Sequence, residues 1–243
     1  MKILGVESSA TAASAAVLCD GKITSLQFTN TGLTHSETLM PMIERALSSA
    51  GVELSDIDYV AVSYGPGSFT GVRIGVATVK GLCFAQNKKC ISVSSLEAAV
   101  MPLEASDCYA VAVMDARCKQ FYTATFLFSG GKCTRLQNDR AISYEELRSD
   151  LLKLNEKNII LIGDGTDVCY NLLKDSVKNL YKAPSCIRWQ SADSVALAAY
   201  EKLLLAGDGA AIPAESLVPF YLRLSQAERE LSLKKKSRAL KLN

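Results

Sequence analysis

The first part of the chain consists of short apolar runs separated by turn residues, a pattern typical of adjacent strands. Two such runs, Lys2–Glu7 and Ser14–Cys19, flank a stretch of small residues, and a third, Lys22–Thr29, follows the dipeptide Asp20-Gly21. An Asp-Gly pair between two β-rich runs favours a tight hairpin turn. The pattern therefore predicts three consecutive strands.

Helical spacing begins after these strands. Apolar residues three and four positions apart define one face of a predicted helix over Ser36–Ala50, formed by Leu39, Met42, Ile43, Ala46, Leu47 and Ala50. The elements predicted next are a strand at Tyr59–Tyr64, a glycine-rich turn at 65–71, a helix at Val72–Ala85, a strand at Lys89–Ser92 and a short helix at Leu96–Met101. The order of the first half is βββαβαβα.

A comparable order then restarts. The elements predicted there are strands at Tyr109–Ala116, Gln120–Phe128 and Cys133–Gln137, a helix at 143–154, a strand at Ile159–Gly163, and helices at Asp167–Lys174 and Val195–Leu205. Two halves with the same order predict an α/β protein with two similar lobes that face a cleft. We expect one lobe in residues 1–106, the second in 107–212, and a C-terminal segment with a basic tail in 213–243.

Composition narrows the chemistry that these lobes can support. The 243 residues include a single histidine, His35, which excludes zinc or iron sites that need two histidines. It also leaves a Ser/His/Asp hydrolase poorly supported, and no Gly-x-Ser-x-Gly sequence occurs. None of the eight cysteines are three positions apart, so there is no C-x-x-C motif. We interpret the cysteines as small buried side chains in a reducing compartment.

Charge and hydropathy favour a soluble, cytoplasmic protein. Glu7 interrupts the apolar start of the chain, and no run reaches the roughly 20 apolar residues that cross a bilayer. The net charge is +2, but residues 226–243 carry +4, which leaves −2 on the residues before them. Only this tail has the charge of a nucleic-acid contact, and a solvated chain end is the alternative interpretation.

The glycine-rich turn before the second helix has two interpretations. Glycines there allow close backbone approach, and the amides at a helix N-terminus can bind an anion. Alternatively, the segment is a tight connection with Thr70 as N-cap and Arg73 in solvent. It lacks the Gly-Lys-Ser/Thr of a Walker loop. The residues in question are Gly65, Gly67, Thr70, Gly71 and Arg73.

A second candidate site is the pair of turns that follow the first strand of each half. These turns are Glu7-Ser8-Ser9 and Asp115-Ala116-Arg117. In two-lobed ATP-binding folds, such turns cradle phosphates, and a carboxylate holds Mg²⁺ through water. Backbone amides can approach phosphates closely where the turn contains glycine, and neither turn does. We therefore predict a degenerate nucleotide site at Glu7, Ser8, Ser9, Asp115 and Arg117.

Several motifs together resemble the bacterial TsaB family. The most specific is the glycine-rich segment 65–75, with its Thr-Gly-Val-Arg-Ile-Gly ending. The others are the start Ile3–Ser9, His35-Ser36-Glu37 followed by Leu39 and Pro41, Asp115-Ala116-Arg117, Gly163-Asp164-Gly165 and Pro219-Phe220-Tyr221-Leu222-Arg223. They occur in the family's order and cover about residues 1–223. Nothing of the resemblance extends to the basic tail.

The resemblance implies a two-lobed fold of the actin, sugar-kinase and Hsp70 type, with mixed sheets. It implies a non-catalytic subunit in the formation of N6-threonylcarbamoyladenosine at position 37 of tRNAs that read codons beginning with A. The implied partners are a TsaD-like transferase and a TsaE-like ATPase, with tRNA met through the complex. No cofactor is expected on this chain; ATP and metal are expected on the partners. TsaD-like sequences carry a metal-binding His-x-x-x-His, and His35 alone cannot supply it.

The resemblance also places partner contacts on the helices at 36–50 and 72–85. The candidate contacts are Leu39, Met42, Ile43, Val72, Val76 and Val79, and the alternative is that they face their own sheet. Met40 and Met42 cannot both face the sheet, so we expect one methionine to be exposed. An active small-molecule kinase of the same fold, or a module that pairs with itself as a homodimer, are the alternative functions.

Overall fold

The computed structural model describes residues 1–32, 34–117, 119–154 and 157–223. Five strands form the first sheet: β1 (Lys2–Glu7), β2 (Ala13–Cys19), β3 (Lys22–Thr29), β4 (Tyr59–Gly65) and β5 (Lys89–Ser94). Their order is β3-β2-β1-β4-β5, antiparallel from β1 to β3 and parallel from β1 to β5. The helices of this half are α1 (His35–Ala50), α2 (Phe69–Gln86) and α3 (Ser95–Val100). The predicted βββαβαβα order is confirmed.

The second sheet repeats this topology. Its strands are β6 (Cys108–Asp115), β7 (Gln120–Ser129), β8 (Lys132–Arg135), β9 (Arg140–Ser143), β10 (Asn158–Ile162) and β11 (Leu180–Lys182). The order β11-β10-β6-β7-β8 corresponds strand for strand to the first sheet, again with β6 antiparallel to β7 and parallel to β10. The helices are α4 (Tyr144–Leu151), α5 (Thr166–Leu173) and α6 (Ala192–Ala206).

The second half also differs from its prediction. The single strand predicted at 133–137 is replaced by two short strands, β8 and β9, which both pair with β7. The three-residue strand β11 was not predicted, because it has only one buried residue, Leu180, and no alternation to detect. Of the predicted C-terminal segment 213–243, residues 224–243 lie outside the described residues.

Helix α6 crosses from the second half to the first. Its residues Val195, Ala196 and Ala199 pack against Ile3 and Leu18 of the first sheet. Conversely, Leu96 and Ala99 of α3 pack in the core of the second sheet. The predicted range 107–212 for the second lobe therefore does not describe the packing, because its last helix covers the other sheet.

The six predicted partner contacts are core residues of the first lobe. Met42 is the most exposed of them at 8%, and Leu39, Ile43, Val72, Val76 and Val79 are buried more deeply. They pack with Val6, Val60 and Val62 of the first sheet. The assignment of these six side chains to a partner surface is therefore corrected. Of the two methionines, Met40 is the exposed one, at 39%.

None of the helices in the described part of the chain combines the length and the hydropathy needed to cross a bilayer.

The contact between α6 and β1 depends on Gly5. A Cβ at this position would collide with the main-chain oxygen of Ala192, at the start of α6. We expect Gly5→Ala to lower the free energy of unfolding by about 1–3 kcal/mol, because backbone must move to accommodate the methyl group. Urea unfolding followed by circular dichroism measures the effect.

Gly81→Ala is the matched control. Gly81 lies within α2, and a Cβ there meets nothing within 4 Å. Alanine favours the helix over glycine by about 0.8–1.0 kcal/mol, so this variant should be slightly stabilised. Equal effects of the two substitutions would contradict the packing described for α6.

Candidate functional site

A cleft of about 620 Å³ separates the two lobes. One wall consists of the turn after β1, the start of α1 and the start of α2, at residues 9–11, 35 and 67–70. The opposite wall consists of residues 114–117 at the end of β6, with Tyr122, Asp164 and Arg223. The cleft therefore brings together the glycine-rich segment and residues from both predicted turns.

Glu7 ends β1 and is completely buried beneath the first wall. Its Oε1 accepts a hydrogen bond from the amide of Ser9 at 2.5 Å. Burial raises the pKa of the Glu7 carboxyl, against the opposing effects of the Ser63 and Ser9 hydroxyls and of nearby His35. The Glu7 carboxylate therefore already accepts the hydrogen bond that the amide of Ser9 can donate.

Asp115 accepts the equivalent hydrogen bond at the end of β6. Its Oδ1 accepts a hydrogen bond from the amide of Arg117 at 2.7 Å, and the amide of Ala116 donates to the carbonyl of Gln120 at 3.0 Å. Arg117 has φ +60°, so the turn adopts the left-handed conformation without a glycine. Asp115 and Arg117 are both exposed. In each turn the strand-end carboxylate already binds an amide of the turn.

The glycine-rich segment packs directly on the first turn. A Cβ at Gly67 would collide with the carbonyl oxygen of Ser9, and one at Gly71 with the carbonyl oxygen of Ser8. The amide of Ser68 donates to the Ser9 carbonyl at 2.7 Å, and the Ser8 hydroxyl donates to the Gly71 carbonyl at 2.9 Å. These glycines are therefore required for close backbone packing. This agrees with the interpretation of the segment as a tight connection between strand and helix.

The cap of α2 differs from its prediction. Ser68 is the N-cap, and its Oγ accepts from the amide of Gly71 at 3.3 Å. Thr70 is instead an exposed residue of the first turn of α2 and lines the cleft. The remaining predicted glycine, Gly65, has φ +125°, and a Cβ there would collide with the carbonyl oxygen of Phe220.

Residues 219–223 contact both lobes, and we call this segment the strap. On the first lobe, the amide of Phe220 donates to the Tyr64 carbonyl at 2.7 Å, and the rings of Tyr221 and Phe69 stack with centroids 4.5 Å apart. On the second lobe, the Arg223 guanidinium donates to the main-chain oxygens of residues 116 and 117. The sequence motif singled out the strap without indicating this role.

Arg73 is held by the strap rather than simply solvated. Its Nε donates to the Tyr221 hydroxyl at 2.8 Å, and its guanidinium lies 5.6 Å from the centre of the Tyr221 ring. The side chain is still exposed on one side. Arg73 is therefore an exposed cation that is bonded to the strap.

Asp164, which lines the second wall, has a strongly shifted pKa. Burial raises it to about 6, with a smaller contribution from the charge of Asp115. Gln190 Nε2 donates to its Oδ1 at 3.3 Å and acts in the opposite direction. The motif Gly163-Asp164-Gly165 contained this residue, but burial depends on long-range packing that the motif does not show.

The single histidine has a structural partner. His35 Nε2 lies 2.8 Å from the carbonyl oxygen of Ala10, which ties the start of α1 to the turn after β1. In the described part of the chain, no three His, Cys, Asp or Glu side chains converge as a metal ion requires.

Comparison with known proteins identifies relatives along most of the chain. Residues 29–231 match the family model of TsaD, tRNA N6-adenosine threonylcarbamoyltransferase. A "tRNA threonylcarbamoyladenosine biosynthesis protein TsaB" of Bacillus subtilis is 26% identical over 94% of this chain and 96% of its own length. The protein of the same name from Escherichia coli is 26% identical over 95% and 98%.

Solved structures show the same fold. YeaZ from Pseudomonas aeruginosa superposes with a TM-score of 0.71 at 23% identity, covering 91% of this chain and 99% of YeaZ. Component A of the (R)-2-hydroxyglutaryl-CoA dehydratase of Acidaminococcus fermentans reaches 0.50 at 12% identity, covering 84% and 99%. The predicted two-lobed fold of the actin and sugar-kinase type is confirmed.

We expect Asp164 to make the free energy of unfolding depend on pH. A carboxyl whose pKa is higher in the folded protein than the ordinary 3.8 binds its proton more tightly when folded, so stability falls as pH rises from about 4 to about 6. The loss is at most about 3 kcal/mol, because one pKa unit corresponds to about 1.4 kcal/mol. Asp164→Asn should flatten this part of the profile, measured by urea unfolding at several pH values.

The exposed Asp175 provides the control. Asp175→Asn should leave the profile as in the unmodified chain. A profile that stays equally steep in Asp164→Asn would show that another group causes it.

Proposed function

Since the chain belongs to the TsaD family, and within it to the TsaB proteins, we propose that it is a non-catalytic partner subunit in the formation of N6-threonylcarbamoyladenosine on tRNA. The modified base would be position 37 of tRNAs that read codons beginning with A. The TsaD-like transferase would perform the chemistry, in the cytoplasm where these tRNAs are modified.

The main support for a non-catalytic role is that both turns after the first strands already use their amides in internal hydrogen bonds. Phosphate binding between such lobes depends on turn amides that are free to donate. Here Glu7 holds the amide of Ser9, and Asp115 holds that of Arg117. The glycines of segment 65–71 are used for packing against the first turn. The site therefore gives no support to the kinase alternative.

A partner surface on α1 and α2 needs residues other than the six buried ones. The exposed side of α2 carries Ala77, Gly81 and Phe84, and Phe84 is 87% exposed. On α1, Met40 is the exposed apolar residue. An exposed aromatic side chain and an exposed methionine are typical of a docking surface. Small residues such as Ala77 and Gly81 allow a second helix to approach α2 closely. We propose this set as the contact with the TsaD-like subunit.

The remaining assignments follow from the same proposal. The same surface would serve a homodimer when the transferase is absent, which makes the two assemblies mutually exclusive. A TsaE-like ATPase would join the pair, and ATP and metal would reside on the partner subunits.

Depletion of this chain from its cell should remove threonylcarbamoyladenosine from tRNA, measured by mass spectrometry of tRNA nucleosides. The purified chain alone should neither hydrolyse ATP nor modify tRNA. Unchanged tRNA after depletion would contradict the pathway role. Tight binding of Mg-ATP by the isolated chain in a calorimetric titration would instead favour the kinase.

Met40→Arg and Phe84→Arg should each weaken binding of the TsaD-like protein at least about tenfold, because each places a charge in an apolar contact. Pull-down and calorimetry measure this. Both side chains are exposed, so the isolated chain should fold normally. Val168→Arg, at a 51% exposed residue on α5, is the matched control. Undiminished binding by the first two variants would exclude this surface.

A further inference from the structure

Strand β3 forms one edge of the first sheet. Among the described strands it pairs with β2 alone, over the eight residues from Lys22 to Thr29. No charged residue and no proline occurs between Ile23 and Thr29. The outward amide and carbonyl groups of such a strand form a template on which another strand can add.

The equivalent edge of the second sheet is protected. Strand β8 takes the same place in the order of strands, but it has four residues, with Lys132 and Arg135 at its ends. Short length and charged side chains are two of the means by which proteins keep edge strands from pairing. Because β3 is twice as long and uncharged between its ends, it has neither protection.

One face of β3 also carries an exposed apolar row, formed by Leu26 at 40% and Phe28 at 43%. Their partners in β2 are Ala16 and Ser14, and Ser14 Oγ accepts a hydrogen bond from the first amide of α6 at 2.9 Å. The row therefore lies on the face of the sheet that α6 covers. Helix α6 packs β3 at Ile23 and leaves the row exposed.

The other face of β3 is polar and uncharged. Ser25 and Gln27 lie opposite Val17 and Ala15 of β2, which pack in the core with α1. The strand thus alternates between an apolar row and small or amide side chains. Lys22, its one charged residue, lies at the end of the strand.

We propose that β3 pairs with β3 of a second copy of this chain, antiparallel about a two-fold axis at Gln27. This register places Leu26 opposite the partner's Phe28, and the two-fold axis repeats the pair. Side chains directly opposite each other in an antiparallel pair have Cβ atoms about 4.5–5.5 Å apart, so each leucine contacts a phenylalanine. The apolar row that α6 leaves exposed would be covered by the same row of the second copy.

The charges around this edge also favour a second copy. On the polar face, the register places Gln27 opposite the partner's Gln27 and Ser25 opposite the partner's Thr29. Lys22 lies away from the axis, so like charges do not face each other. The strand is therefore complementary to itself, without a charge that would require an oppositely charged partner.

This contact goes beyond the proposed function and does not rest on it. The apolar row lies on the face of the sheet opposite α1 and α2. Helix α2, which carries Phe84, packs on β4 and β5, towards the other edge of the sheet. The β3 contact is therefore separate from the surface proposed for the TsaD-like subunit.

Sedimentation equilibrium of the full chain tests the pairing. Phe84→Arg serves as the starting chain, so that a homodimer through α1 and α2 does not contribute. We expect a discrete dimer with a dissociation constant in the micromolar range, because a strand-edge contact is small. In this chain, Leu26→Lys with Phe28→Lys sets like charges opposite each other and should raise the dissociation constant at least about tenfold.

A charge swap tests the register. Since position 26 of one copy faces position 28 of the other, Leu26→Lys with Phe28→Glu makes unlike charges meet twice. This variant should dimerise at least about tenfold more tightly than the like-charged one. Leu136→Lys with Leu172→Lys is the matched control, because it changes two apolar side chains of similar exposure, 44% and 49%, and should leave the dissociation constant unchanged.

The proposal is overturned if the starting chain stays monomeric at the highest concentration measured or forms open-ended aggregates instead of a dimer. It is also overturned if the like-charged variant dimerises as tightly as the control, or if the charge swap restores nothing. Circular dichroism checks that each variant is folded. Loss of the pathway role in the depletion experiment would leave a measured β3 dimer standing, so the two proposals fail separately.

Discussion

The close contact between two backbone segments is the constraint on which the first wall of the cleft depends. The carbonyl oxygens of Ser8 and Ser9 lie where a Cβ at positions 71 and 67 would be. The turn after β1 and the start of α2 therefore have no space for side chains between them. Buried backbone groups need partners, and here each segment supplies them to the other. The glycines of the segment 65–71 are thereby used for internal packing.

Glu7 and Asp115 form equivalent hydrogen bonds in different surroundings. Each carboxylate ends the first strand of its sheet and accepts a hydrogen bond from the amide two residues later. Glu7 is completely buried, whereas Asp115 is exposed to the cleft. The same local turn is thus a structural support in one lobe and part of an open surface in the other.

Local patterns predicted the order of elements well, because strand alternation and helical spacing are properties of neighbouring residues. They could not show that α6 covers the first sheet, since that contact joins residues almost two hundred positions apart. Helical spacing correctly grouped Leu39, Met42 and Ile43 on one face. It could not say whether that face turns towards the core or a partner. The role of the strap was likewise invisible, because its contacts with Tyr64 and Ala116 are long-range.

The crossing of α6 has a consequence for how the chain folds during synthesis. The first sheet is complete at Ser94, but the helix that covers its second face begins at Ala192. The ribosome therefore makes about a hundred further residues while Ile3, Leu18 and Ile91 lack their cover, and an apolar face exposed this way is prone to aggregation. The first sheet therefore buries both of its faces only after α6 has been made.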